Sequence, residues 1–416
     1  MQANKFKMIQ LAGFIALLFA TSCVEEYWPE IDASGDELLV VDGKITNYAG
    51  PYTVKLSKSF ALDQPTALID QAVTQAQVLI MDNLGNQEVL TETSKGVYQT
   101  KSNGIRGIIG RSYKVKITLN TGKIYESEFE ELVNTVDVES TTFEEVIKPA
   151  ASSLEKDLEG YQFYVSSATS ASNQKYYYWE VEETYEYHAD YKIIFLYDGK
   201  RYPTSDYNPL GLAQTRNQDT LYYCWTTRMV GQRFSYSTEY LSTPQVKKFP
   251  LHFIPYSDTR LRHKYSIMVQ QYAISEKAYT FIKTLEKQNE NQGELFTTQP
   301  FQIRGNLTNI DDPTEPVLGY FLVASGKNGN RILTKAPDRI RYNIPLAFAD
   351  TSMGSIQNTI RLASPSQLPI YFTFVYFENP DDSMGEALEV LAYVRQDCLD
   401  CTRKGGKTVK PYYWDW

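Results

Sequence analysis

Apolar and polar residues alternate with a period of two along much of this chain. From position 38 the apolar run "LLVVDGKI" carries its own turn signal. In "YTVKLSKS" Tyr52, Val54 and Leu56 fall on one side and Thr53, Lys55 and Ser57 on the other. Successive side chains of a strand point to opposite faces, so this spacing predicts half-buried strands. "AQVLIMDNLGNQEVL" reads as strand, turn, strand. Further on, Tyr113, Val115, Ile117 and Leu119 alternate with Lys114, Lys116 and Thr118. Turn residues recur at short intervals as far as about Val133, which predicts a small antiparallel sandwich of immunoglobulin or transthyretin type over residues 37–135.

The pattern resumes in a larger β-rich domain over 136–416. In "KYYYWEVEETYEYHADYKIIFLYDG", Tyr177, Trp179 and Val181 face one way and Tyr178, Glu180, Glu182 and Thr184 the other, as one long strand or a bent pair. "YSIMVQQYAI", "VLGYFLVAS" and "IYFTFVYF" supply further strands. One stretch changes period: after Ser275, a suitable N-cap, the apolar positions Ala278, Phe281, Ile282 and Leu285 lie on one helical face as far as about Gln288. The expected fold is mainly β, two antiparallel sandwich-like domains, the second carrying the only well-supported helix near 275–289. The two halves do not align with each other, so no internal repeat is read.

The start of the chain has a different character. Lys5 and Lys7 precede an apolar run of 13 residues, Met8–Ala20, too short to span a hydrocarbon core of about 30 Å. Ala20, Thr21 and Ser22 then lead into Cys23, the order that bacterial lipoprotein processing requires: small residues at the cut and a thiol to receive diacylglycerol. Residues 1–22 therefore read as a lipoprotein signal peptide, Cys23 as the lipidation site and 23–36 as a tether. Multiple acyl chains, at about 0.8 kcal/mol per buried methylene, anchor such a terminus stably.

A net charge of −9, from 41 Lys and Arg against 50 Asp and Glu, excludes nucleic acid as the main partner. The 32 tyrosines suit pleated half-buried surfaces and contact surfaces alike. With Cys23 acylated, Cys224, Cys398 and Cys401 remain, which predicts one disulfide, within the C-x-x-C or from one of its members to Cys224, and one free thiol. No helix follows the C-x-x-C, as a thioredoxin-type site requires, and no further ligands at zinc spacing accompany it. His188, His252 and His263 are the only histidines, and none sits in a ligand or triad pattern. The acidic stretches "NIDDPTE" (309–315) and "NPDDSMGE" (379–386) lack the order of a calcium loop and read as solvated turns. No cofactor, metal or catalytic motif is read. The tail "KPYYWDW" follows a glycine-rich segment and offers Tyr413, Trp414 and Trp416 as anchors for a partner, or for the domain itself.

Taken together, "LVVDGKITNYAGPYTVKLSKS", "YCWTT", "YSIMVQQYAISEKAYTF", "PFQIRGNLTNIDDPTEPVLGYF" and "CLDCTRKGGKTVKP" resemble the Bacteroidetes outer-membrane lipoproteins grouped as domain-of-unknown-function family 4249. That resemblance implies a non-catalytic accessory subunit of a TonB-dependent, SusC-like transporter, assisting nutrient capture of a peptide or glycan. It also implies that Glu25 and Glu26, next to the lipidated cysteine, act as a surface-export signal. A surface-anchored hydrolase would instead need a buried, mutually bonded set of acid, histidine or nucleophile side chains in the larger domain. An adhesin or envelope scaffold would lack a concave aromatic pocket.

Overall fold

The computed structural model describes residues 37–59, 71–150, 156–170, 174–290, 303–342, 348–378 and 387–415. It is mainly β, and its backbone is one ten-stranded sheet shared by two sandwiches. The main path of this sheet runs Tyr223–Met229, Tyr176–His188, Tyr265–Ala273, Leu318–Asn328, Leu39–Thr46, Thr53–Lys58, Val97–Gln99, Thr91–Ser94.

A six-stranded sheet built around Gln77–Asp82 and Ser112–Thr118 covers the Leu39–Thr46 end. The alternation seen in sequence points into the space between the two sheets: Val54, Leu56, Val78, Ile80, Tyr113, Val115 and Ile117 are all buried there. A three-stranded sheet, Val138–Lys148, Leu158–Ser167 and Phe249–Pro255, covers the other end, and Tyr177, Trp179 and Val181 pack beneath it with Phe163, Leu251 and Ile254.

The expected boundary near 135 does not coincide with these layers. Leu307, Val317, Phe321 and Val323 return to the first core, and Leu318–Asn328 pairs in parallel with Leu39–Thr46 and antiparallel with Tyr265–Ala273. The pairing is thus not antiparallel throughout, because a strand arriving from 270 residues away lies beside the first one.

The predicted helix is α1 (Glu276–Glu290). It lies on the opposite face of the shared sheet, where Ala278 and Ile282 pack on Tyr178, Tyr272, Tyr320 and Ala324. A second helix, α2 (Met353–Leu362), corrects the expectation of a single one. Its buried apolar positions are only Ile356 and Ile360, too few for a periodic signal. It covers a five-stranded sheet built on Ile370–Glu378, with Phe195, Leu212 and Phe372 in the core. Among the described residues no helix is long and apolar enough to cross a membrane.

Candidate functional site

Among the concave features of the described residues, one is a groove between α1 and the shared sheet. Ser275 starts the helix as expected: its hydroxyl accepts from the Ala278 N–H at 3.1 Å and donates to Glu130 at 2.9 Å. Such a cap contributes about 1 kcal/mol. Glu130, buried, also receives Asn306 Nδ2 at 3.0 Å and the Tyr320 hydroxyl, so one carboxylate ties the helix start to the opposite wall. Burial, and then the Glu130 charge, push the Tyr320 phenol well above its ordinary range and keep it a donor.

Two adjoining cavities of about 620 and 610 Å³ follow the helix. Phe281, Ile303 and Tyr320 line both and form the waist between them. In the first, Lys44 pairs with Glu180 at 2.6 Å, and Glu180 also accepts from the Tyr272 hydroxyl at 3.2 Å. In the second, Lys277 pairs with Glu128.

The wall opposite α1 explains the "GNLTN…VLGYF" pattern. A Cβ on Gly305 would lie 1.7 Å from the Gly319 carbonyl oxygen, and one on Gly319, at φ +83°, 1.9 Å from that of Val41. Three backbone segments cross here at a distance only glycine permits. Asn306 fastens the crossing, its Oδ1 accepting from Phe321 N at 2.9 Å. Phe281 and Leu285 carried only a core signal in sequence; that they border an open groove depends on Ile303 and Tyr320, which the fold brings up from elsewhere in the chain.

A second cluster lies in the other sandwich. Glu183, fully buried, receives Arg260 Nη1 at 2.6 and 2.7 Å, Arg228 Nε at 2.6 Å and the Tyr265 hydroxyl at 2.7 Å. Burial alone would raise its carboxyl, but the bonds from Tyr265 and the two guanidinium groups outweigh it and hold the group below the usual carboxylate range. Asp258 neutralises Arg260 from the other side. His252 Nε2 stands 3.9 Å from Glu183 with no hydrogen-bond partner, and burial pushes this imidazole down to about 4. Donors occupy both Glu183 oxygens, so the set braces the sandwich and offers no general base.

The cysteines and the tail meet on the strand Tyr176–His188. Cys224 and Cys401 are bridged, and Cys398 is a buried free thiol among Ile193, Val394 and Leu399. Beyond the bridge Lys407 exchanges backbone hydrogen bonds of 2.9 and 3.0 Å with Trp225. Gly406 passes so close that a Cβ would lie 2.1 Å from the Tyr187 hydroxyl. The residues pointing away from the core then receive the tail. Thr184 bonds the Tyr413 hydroxyl at 2.9 Å, Arg331 lies 3.8 Å over the Tyr413 ring, and Glu186 accepts from Trp414 Nε1 at 2.6 Å. Glu186 also bonds His188 at 2.8 Å, and His188 stacks on His263 at 3.5 Å. With Trp414 only 1% exposed, Tyr413 and Trp414 are occupied within the chain and are not free partner anchors; Tyr412, 94% exposed, faces out. Cys23, Glu25, Glu26 and Trp416 lie outside the described residues, as does the acidic stretch 379–386.

In the other acidic stretch, Asn309 Oδ1 accepts from Asp311 N and Asn309 Nδ2 donates to Glu315, which closes the turn, while Glu315 also accepts from Lys123 and Tyr125 of the neighbouring strand region. Among the described residues no three His, Cys, Asp or Glu side chains gather as a metal-binding group.

No curated protein matches the chain. The model of the domain of unknown function DUF4249 matches residues 24–329, most of the chain, and the protein belongs to that family.

Proposed function

We propose that this protein is a lipid-anchored accessory subunit of a TonB-dependent, SusC-like outer-membrane transporter, displayed at the cell surface, where it binds a nutrient without transforming it. The groove along α1 carries this reading. It is open, it narrows to an aromatic and apolar waist, and the ion pairs lining it are closed on themselves, which suits reversible capture rather than bond-making. Two features support the location: the apolar run ending at Cys23, and the acidic pair Glu25 and Glu26 directly behind it. The partner follows from what the family resemblance implies. Cells expressing the tagged full chain are solubilised in mild detergent and the protein is captured. A TonB-dependent transporter in stoichiometric amount is the expected companion. Cys23→Ala is expected to release the protein to the soluble fraction and end the capture. Recovery of the wild-type chain from outer membranes without such a transporter refutes the reading.

A further inference from the structure

We propose that the groove along α1 is a peptide site, taking a zwitterionic oligopeptide of about five residues in extended form; this deepens the capture reading above and rests on it. Length comes first. The helical positions lining the groove run from Glu276 to Gln288. At 1.5 Å per residue that is about 18 Å, and an extended chain at about 3.3 Å per residue covers it with five residues. At the waist the Phe281 and Tyr320 rings pack against each other, centroids 4.9 Å apart, and with Ile303 they present an apolar surface for one side chain near the middle.

Charge decides the chemistry. Each cavity is lined by four charged residues, two acids and two bases, and in each one pair is closed: Lys44 with Glu180, Lys277 with Glu128. The other two have no ion pair or hydrogen bond among the described residues. They are Asp42 and Arg233 in the first cavity, Glu276 and Arg304 in the second, all exposed. Among the described residues, each cavity therefore offers one carboxylate and one guanidinium without a counter-charge. A peptide with free termini meets a counter-charge at both ends. A neutral oligosaccharide can hydrogen-bond these groups through its hydroxyls but neutralises none of their charges, so charge complementarity favours a ligand with a charge at each end. A polyanion or polycation would meet a like charge in each cavity.

The test uses the purified full chain. It is mixed with a pentapeptide library carrying free termini, bound peptides are recovered by gel filtration, and the most enriched one is identified by mass spectrometry and titrated by calorimetry beside maltopentaose. Blocking both termini is expected to weaken binding at least tenfold, and Arg233→Ala and Glu276→Ala about tenfold each, the scale of one charge-assisted hydrogen bond. Both variants are melted alongside, and Arg304→Ala replaces either one that fails to fold. Absence of any enriched peptide, equal binding of the blocked peptide, or maltopentaose binding that depends on Arg233 overturns the assignment. Transporter capture is scored separately on the same preparation. Capture without peptide enrichment overturns only the peptide site, and enrichment without capture supports the site and overturns only the accessory role.

Discussion

Trp414→Ala should release the C-terminal tail without unfolding the sandwiches. The indole is 1% exposed and donates to Glu186 at 2.6 Å. Burying a side chain of this size removes about 200 Å² from water, and truncating a buried Trp to Ala typically costs about 3–5 kcal/mol. What else holds the segment beyond Cys401 is modest. There are two backbone hydrogen bonds between Trp225 and Lys407, one bond from Tyr413 to Thr184, Arg331 over the Tyr413 ring, and the part-exposed ion pairs Lys404–Asp190 and Arg403–Asp400. At about 1 kcal/mol each, these do not offset the roughly 1 kcal/mol or more of entropy lost per ordered residue. The variant should therefore lose its tail locally, while the Cys224–Cys401 bridge keeps the segment attached at its base. Hydrogen exchange read by mass spectrometry is the assay. The amides of Lys407 and Trp225 should lose protection, and those of Leu39–Thr46 should keep theirs. Trp414→Phe, which keeps an aromatic ring but leaves Glu186 short of a donor, should fall between, costing about 1–3 kcal/mol. Wild-type protection at Lys407 in Trp414→Ala would refute the reasoning. Loss of transporter capture with protection unchanged would return the tail to the role of partner anchor.

Four other outcomes follow from the structure. Cys224→Ser removes a bridge spanning 177 residues, which the chain-entropy model values at about 5 kcal/mol, and should lower the urea midpoint markedly. In the same protein Cys398, buried and with its thiol pushed up to about 11 by burial and then by Asp190, should label slowly with iodoacetamide until the chain unfolds; rapid labelling of the native protein would contradict its placement. His252 is held at about 4 against an ordinary 6.5, so the unfolded chain binds the extra proton first. The stability it supports is complete above about pH 6.5 and is lost as pH falls toward 4, about 3 kcal/mol in all. His263 is pushed down to about 4 by burial as well, so His252→Phe should reduce the slope of urea midpoints across that window without abolishing it, and an unchanged slope would assign the pH dependence elsewhere. Finally, Gly319→Ala and Gly85→Ala both place a side chain at positive φ, but only the first drives its Cβ into backbone, at 1.9 Å from the Val41 oxygen, whereas nothing lies near the second. Gly85→Ala should cost about 1 kcal/mol, and Gly319→Ala should cost far more, since it parts the strands joining the two sandwiches. Equal melting temperatures for the two variants would contradict this.

Period-two alternation was legible wherever one face of a strand meets a core, and it located Val54, Tyr113 and Trp179 on their buried sides. The same device read Tyr178 and Glu180 as the opposite face, which is the face α1 covers. Capping chemistry located that helix to within a residue or two, because Ser275 and the spacing of Ala278, Phe281 and Ile282 act locally. The return of residues 304–324 to the first sandwich was not legible. Parallel pairing with Leu39–Thr46 arises from a contact between segments about 280 residues apart, and local pattern carries no information about such partners. The groove was missed for the same reason. Its waist is one helix residue, one residue before a turn and one strand residue, each ordinary in its own segment. The two glycines were visible as letters, but their need for close approach exists only once three backbones cross.

That crossing also determines where a captured ligand stands relative to the start of the fold. The strand Leu39–Thr46 is the first described element of the chain, and five of its residues, Val40 to Lys44, line the groove. Leu318–Asn328, which supplies Leu318, Tyr320 and Leu322 to the same wall, is hydrogen-bonded directly to it. Among the described residues, no other element stands between position 37 and the candidate binding surface. If Cys23 carries the lipid, 15 residues separate it from Leu38, and a fully extended chain of that length reaches at most about 50 Å. The tether then limits how far Leu38, and with it the strand that follows into the groove wall, stands from the membrane. The more distant sheet on Ile370–Glu378 and the brace around Glu183 have no such tie to the tether. The "GNLTN…VLGYF" pattern falls where the first strand, the returning strand and the helix meet, and its two glycines let those backbones approach closely enough to form one rigid wall of the groove.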